Sequence, residues 1–336
     1  MSGATLDQGG AAADRKTEWR PERLIAPPPL FVWPPRPAGF LRWLFGWNGY
    51  LFPWNAIYVA IAAFTWLYLT PDFAGMTEFH AGWVLLLFER NVALLLLVAG
   101  AWHARLYMQK AQGIKYKYNP RWLSKNTQFL FNNQLYDNLF WTFISAVPVW
   151  TAYEAVTLWA QANQYIPSMS WHEHPVWCAV ILLLIPLWRE LHFYCIHRLI
   201  HWPPLYRTVH HLHHKNVNIG PWSGMAMHPV EHVLYMSAVL IHWIVPSNPL
   251  HVIFNLQHLA FAPSQGHTGF YKIVLKDGVE QETGNFMHYL HHRYFEVNYG
   301  GDGSIPIDKW FGTFHDGSDE AEARMNKRVL GRNTKA

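Results

Sequence analysis

Charge is scarce in this chain. Only 14% of its residues are Asp, Glu, Lys or Arg, against about a quarter in ordinary soluble domains, which argues against a globule bathed in water on all sides. Cysteine is scarcer still, with Cys178 and Cys195 alone. Both fall in one apolar helical stretch, too far apart along it to bridge. A disulfide framework is therefore excluded, and both read as small buried hydrophobes in a reducing setting. The net charge is only +4, and no basic groove with interleaved aromatics is present. That speaks against a nucleic-acid partner. No apolar run follows the start, so no cleavable signal peptide is expected. An HExxH zinc motif and any internal repeat are also missing.

What the chain has is apolar and aromatic. Hydrophobic residues make up 51% and aromatics 16%, with the Trp and Tyr that gather where a membrane meets water. Mean hydropathy is near zero at −0.04, because polar, histidine-rich segments dilute the greasy ones. The fold class expected is an all-α integral membrane protein. Four spans are read at about residues 50–69, 79–108, 139–160 and 175–194. Glu89, Arg90 and Asn91 interrupt the second, an expensive cluster in lipid that marks either a contact with other helices or a kink. Two short apolar runs follow, at 233–245 and 250–262, each too short for the ~30 Å hydrocarbon core. They read as a re-entrant helical hairpin.

Charge bias sets the orientation. Arg20, Arg23, Arg36 and Arg42 flank the first span, and Lys110, Lys115, Lys117, Arg121 and Lys125 lie between the second and third. The loops at 70–78 and 161–174 carry acids but no Lys or Arg. The positive-inside rule then puts both termini and all the histidine clusters on the cytoplasmic side. The organisation expected is a flexible Pro-rich arm (1–39), transmembrane helices (40–184), a histidine-rich helical domain that caps the helices and includes the hairpin (185–315, hairpin 233–262), and a polar tail (316–336).

The centre of the chain is residues 190–214, ELHFYCIHRLIHWPPLYRTVHHLHH. His197 and His201 are spaced i, i+4; His210, His213 and His214 are spaced i, i+3, i+4; His288, His291 and His292 repeat that second spacing. On a helix such spacings gather imidazoles on one face. Neutral imidazole is the commonest nitrogen ligand for Fe, Zn, Cu and Ni, so three converging clusters supply enough nitrogens for two ions. His192 and His211 point off these faces and are not read as ligands. Glu190 shares the face of His197 and is a candidate acceptor for an imidazole N–H, or pairs with Arg189 or Arg198. Pro229 suits a first helical position, which makes His228 an N-cap and Glu231 its capping acid; the other reading of both is support for a metal site. His258 reads as a cavity-wall residue or an extra ligand, and Asn298 as a turn residue or a site contact.

Taken in order, HxxxH, HxxHH, HP-x-E, a lone GHTG, a second HxxHH, NYG and D-x-W-F-G-T resemble the fatty acid hydroxylase/sterol desaturase superfamily over about residues 185–315. Bacterial and sterol-C5-desaturase-like members look most similar. The resemblance implies a membrane-bound, non-haem di-iron oxygenase. Its metal ligands would be His197, His201, His210, His213, His214, His267, His288, His291 and His292. Its cofactors would be two Fe ions, which Zn can replace in a recombinant sample, with O₂ as co-substrate. Some members carry a further His four residues before the position of His267. Here that position is Pro263, and His228 or His258 is left to fill the gap. No HPGG-type haem signature is present, so two electrons are expected from a separate small cytochrome or ferredoxin with its reductase.

The function expected is O₂-dependent hydroxylation or desaturation of a C–H bond in a membrane lipid of the sterol or fatty-acyl class. The setting is a bacterial inner membrane, or an endoplasmic reticulum if the source is eukaryotic. Two alternatives belong to other classes. A metal transporter or buffer would place ligands inside the spans. A zinc-dependent membrane hydrolase needs fewer ligands and an open position for water.

Overall fold

The structure is a computed structural model, and it describes residues 19–22, 28–301 and 303–333. Prolines open many of its helices, at the first-turn positions where the missing N–H is no loss. They begin α1 (Pro37–Phe45), α6 (Pro175–Ile200), α8 (Pro229–Met236) and α9 (Pro249–Gly266). The others are α2 (Trp54–Tyr68), α3 (Ala81–His103), α4 (Gln134–Trp141), α5 (Val147–Ala162), the broken stretch α7 (Pro203–Leu205, Tyr206–His210 and His211–His214), α10 (Phe286–Tyr294), α11 (Ile307–Trp310) and α12 (Asp319–Asn333). Single π turns extend α3 through Ala104–Met108 and join α4 to α5 through Thr142–Ala146.

Two of these helices are long and apolar enough to cross a membrane, Ala81–Met108 and Pro175–Ile200. The fold is mostly helical and fits an all-α membrane protein. Four such spans were expected. The first, α2, has 15 residues, or roughly 22 Å of helix. The third expected span falls in α4–α5, which buries Thr142, Ser145, Thr151, Glu154, Thr157 and Gln161, so its polarity is spent on neighbouring helices. The interruption in α3 has the same cause. Arg90 pairs with Glu154 in α5, while Asn91 Nδ2 donates to Glu154 Oε2 at 2.9 Å and Thr151 Oγ1 at 3.2 Å. Glu89 faces outward.

Helix α9 lies at the centre and is buried almost end to end against α2, α3, α5 and α6. Several of its polar side chains find a partner on a neighbour. His251 Nε2 meets the Cys178 carbonyl at 2.9 Å, Asn255 meets His242 at 3.1 Å, and Gln257 donates to Thr65 at 2.9 Å. Asn248 caps its start. The preceding arm is α8 followed by a 3₁₀ turn, Ser237–Trp243, so α8 and α9 form a helical hairpin over the stretch expected to do so.

Three features differ from the expectations above. A small antiparallel pair, β1 (Lys272–Val274) with β2 (Glu280–Glu282), follows α9. Cys195 is exposed, because it sits on the outward side of α6, while Cys178 is buried. Two described residues of the N-terminal segment, which is otherwise largely exposed, make ring contacts with the rest of the fold. Trp19 stacks on Tyr271 at 4.7 Å, and Phe31 meets Trp310 edge-on at 5.4 Å.

Candidate metal centre

Nine histidines come together at the ends of α6, α7, α9 and α10. They sort into two sets, each with its donor atoms within 4.8 Å of one another. One set is His197, His201, His210, His214 and His291; the other is His213, His267, His288 and His292. The sorting follows helix geometry. Residues four apart share a set, as 197 with 201, 210 with 214 and 288 with 292. The middle histidine of each HxxHH, His213 or His291, is rotated off that line and crosses to the other set. Thus α7 and α10 each contribute to both sets, which fixes the sets side by side. His214 and His292, from different sets, have ring centroids 4.9 Å apart.

Hydrogen bonds at the far ring nitrogens fix which way the lone pairs point. Nδ1 of His197 donates to the Tyr299 carbonyl at 2.7 Å, and Nδ1 of His291 to the Val297 carbonyl at 2.6 Å. Nδ1 of His267 donates to the Pro263 carbonyl at 2.8 Å, and Nδ1 of His213 faces the Ala226 carbonyl at 3.3 Å. A carbonyl only accepts, so these rings carry their proton on Nδ1 and present a bare Nε2 inward. Nδ1 of His210 lies 2.8 Å from the Glu231 carboxylate, the arrangement that raises the basicity of a ligating ring.

The bare nitrogens face one another. Nε2 of His197 and His210 are 3.1 Å apart, and His291 lies 3.0 Å from His214 and 3.2 Å from His201. In the other set His267, His288 and His292 form a triangle with edges of 3.0, 3.1 and 3.2 Å. Its circumscribed radius is about 1.8 Å, less than an imidazole–metal bond of about 2.1 Å. One ion could therefore be held by His267, His288 and His292 together. Lone pairs aimed at each other at such separations repel unless a cation sits among them. Protons do not fill that role. Burial and mutual repulsion hold His210, His214, His288, His291 and His292 well below the ordinary 6.5. Burial first pushes His213 to about 4, His267 to about 3 and His201 to about 2. Neutral, buried, nitrogen-only sets suit Fe, Zn, Cu or Ni, and the residues fit two such ions.

The remaining candidate residues divide. Glu231 supports the site directly through His210; burial drives its carboxyl well up, and a cation held by His210 would oppose that. Asn298 supports it through the backbone. With φ of 51° it sits between Val297 and Tyr299, whose carbonyls hold His291 and His197. Its side chain donates to the Met287 and His315 carbonyls at 3.1 and 2.8 Å. Glu190 does not reach an imidazole: it accepts the N–H groups of Ser304 and Ile305 at 3.1 and 3.0 Å. His228 and His258 join neither set. His228 caps α8 through Val230, and His258 turns to Asn55 in α2. His192 meets Ser237 and His211 is exposed.

Sequence reasoning missed Asp308, which accepts from the Tyr299 and Gly300 N–H groups at 2.9 and 2.7 Å and so braces the loop that holds His197. Its place in the D-x-W-F-G-T motif was the available signal. It also missed Phe193, stacked on His197 at 4.5 Å. Beside the rings lies a void of about 40 Å³ lined by Phe193, Met227, Tyr235 and Ala262 among others.

Residues 182–313 match the family model for fatty acid hydroxylase. Among curated relatives, the Delta(7)-sterol 5(6)-desaturase of Gibberella zeae is 29% identical over 63% of this chain and 65% of its own length. The Delta(7)-sterol 5(6)-desaturase of Candida glabrata is 26% identical over 56% of this chain and 52% of its own. The chain thus spans less than two thirds of either relative. No solved structure matches it.

Proposed function

The chain belongs to the fatty acid hydroxylase/sterol desaturase superfamily, and from that membership we propose that it is a di-iron membrane oxidase acting on a C–H bond of a sterol- or fatty-acyl-class lipid. The observation that carries the reading is the pair of adjoining nitrogen-only histidine sets. Nine imidazoles exceed what a single hydrolytic zinc takes. They also gather at one place and line no path through the spans, so neither a hydrolase nor a transporter gains support.

Two iron ions in these sets would supply the redox chemistry for breaking an unactivated C–H bond. Hydroxylation converts R–H, O₂, two electrons and two protons to R–OH and one water. Desaturation uses the same inputs to turn –CH₂–CH₂– into –CH=CH– and two waters. The chain's own part is positional. Glu231 and the carbonyls of Val297, Tyr299 and Pro263 aim the rings. Phe193, Met227 and Tyr235 form the apolar side of the adjoining void. At about 40 Å³ the void has room for a few water molecules at most.

Topology and partners belong to the same reading. Four spans and the hairpin would leave both termini, the 109–138 loop and the histidines on the cytoplasmic face. Electrons would come from a separate small cytochrome or ferredoxin with its reductase. The test is reconstitution with ferrous iron, an electron donor, O₂ and a membrane lipid extract, read by mass spectrometry. A lipid that gains one oxygen or loses two hydrogens only in the complete mixture is the expected result. Iron-loaded protein that changes no lipid under electron supply contradicts it.

A further inference from the structure

Helix α6 has 26 residues, about 39 Å of helix. That is longer than the ~30 Å hydrocarbon core and close to the roughly 40–45 Å of a bilayer with its headgroups. Its outward side stays apolar to the end. Val180, Leu184, Leu191 and Leu199 are exposed there, and Trp202 just beyond is 59% exposed. The last turns of this apolar side are the ones that aim His197 and His201 inward. If α6 crosses a bilayer, its lipid-facing side therefore runs level with the histidine sets.

Ring contacts carry that side onto two further segments. Tyr194 of α6 stacks on Phe311 at 5.7 Å, and Trp310 meets Phe31 edge-on at 5.4 Å. Phe31 ends a 3₁₀ turn, Pro29–Phe31, which packs on α1 with Pro29 beside Gly39. Along this line Phe311 is 67% exposed, Trp310 60% and Trp33 88%. Tryptophan is highly buried on average, and a contiguous apolar patch of this kind marks an interaction surface.

Helix α1 identifies the partner's chemistry. Its sequence, PAGFLRWLF, has Arg42 as its one polar side chain. Trp43 turns inward onto Tyr50 at 4.8 Å, and Trp43 and Gly49 line, with His258 and others, a cavity of about 520 Å³. Leu41 and Phe45, one turn apart, are exposed on the other side. A helix that is apolar all round belongs out of water. Nine residues make only about 14 Å of helix, too short to cross, so α1 suits the plane of the membrane interface. Arg36 and Arg42 are exposed beside it, where long cationic side chains reach lipid phosphates from an apolar surface.

We propose that α1, residues 28–33 and the Trp310–Phe311 turn form one interfacial surface, embedded in phospholipid of the leaflet at the histidine-bearing end of α6. Its exposed tryptophans take the headgroup level, as such rings do. The histidine domain is then flanked by lipid on this side, and the collar sets the depth of the histidine sets. The inference rests on the reading that α6 spans the bilayer.

The experiment uses the full chain in nanodiscs of phosphatidylcholine and phosphatidylglycerol. In a Cys178→Ala, Cys195→Ser background, a nitroxide is attached at Phe45→Cys, Phe311→Cys, Leu184→Cys or Gln128→Cys, one site at a time. Collision rates with oxygen, which dissolves in lipid, and with a water-soluble nickel chelate give the depth of each label. Leu184 lies midway along α6 and reports the hydrocarbon core; Gln128 is exposed in the 109–138 loop and reports water. Labels at 45 and 311 are expected about 5–10 Å below the phosphates, beyond reach of the chelate. Chelate access at either site equal to that at 128 overturns the proposal. So does a label closed to both reagents, which marks a second copy or a protein partner on the patch. The two sites are read separately, so a misfolded variant at one leaves the other to decide. Leu184 in water contradicts the spanning reading, and the proposal with it. Leu184 in the core with 45 or 311 in water contradicts the proposal alone.

Discussion

Glu231 offers the sharpest perturbation. Its Oε1 accepts from His210 Nδ1 at 2.8 Å, both side chains are buried, and His210 Nε2 faces His197 in the five-histidine set. The carboxylate strengthens the donor on the far side of the ring and holds its tautomer. Loss of such a partner typically costs 10- to 100-fold in metal affinity, about 1.4 to 2.7 kcal/mol. Glu231→Gln keeps an accepting oxygen and the volume, removes only the charge, and belongs at the tenfold end. Glu231→Leu leaves Nδ1–H with no acceptor in a buried site and belongs at the hundredfold end. Competition with a chelator of known affinity measures both. The four-histidine set, which draws nothing from Glu231, keeps its affinity, so the titration becomes biphasic. Wild-type affinity in both variants would refute the reasoning, as would an equal loss in the two sets. Size-exclusion profiles in detergent check that each variant is folded.

Other consequences follow from the same structure. Arg90→Leu leaves Glu154 buried without its cation, and about 3–5 kcal/mol of stability is expected to go; a thermal midpoint within 2 °C of wild type would contradict the burial of the pair. Asn298→Ala removes both donated bonds and puts alanine, which tolerates the left-handed region less well than asparagine, at φ 51°. About tenfold loss of turnover is expected from the shifted carbonyls of Val297 and Tyr299, and unchanged kcat would count against the loop's role. Lys117 is 2% exposed, and burial lowers it from 10.5 to about 7. The unfolded chain then binds the extra proton between pH 7 and 10.5, so this group's destabilisation is full below pH 7 and fades as pH rises through that window. Stability relative to Lys117→Met should therefore rise from pH 7 to 9 in denaturant titrations, and a constant difference would contradict it. Protease accessibility in sealed vesicles should place the 109–138 loop and the C-terminus on the cytoplasmic face; cleavage from the opposite side overturns the topology.

Much of the site was legible because helical spacing is a strong local signal. The pairs 197/201, 210/214 and 288/292 could be written down from a period of 3.6. The crossing of His213 and His291 between sets was equally available from that geometry, yet a single-face reading of HxxHH obscured it. Other features had no local signal. The acceptors for His213, His267, His291 and His197 are backbone carbonyls, which every residue possesses. Cys195 was misjudged in the same way, since an apolar helix does not reveal which side meets a neighbour, whereas His258 is a cavity-wall residue as one of its two readings had it. His258 found Asn55, 203 residues away. The α4–α5 stretch read as a span because its hydrophobic residues dominate; Glu154 and its partner Arg90 are 64 residues apart and compensate each other only in three dimensions.

The central claim is that two irons are held by two distinct histidine sets, and iron content after anaerobic loading with ferrous iron tests it most directly. About two ions per chain are predicted for the wild type, with about one retained in His213→Ala and about one in His291→Ala, each lost from a different set. One ion or fewer in the folded wild type, or two retained in both variants, would contradict it.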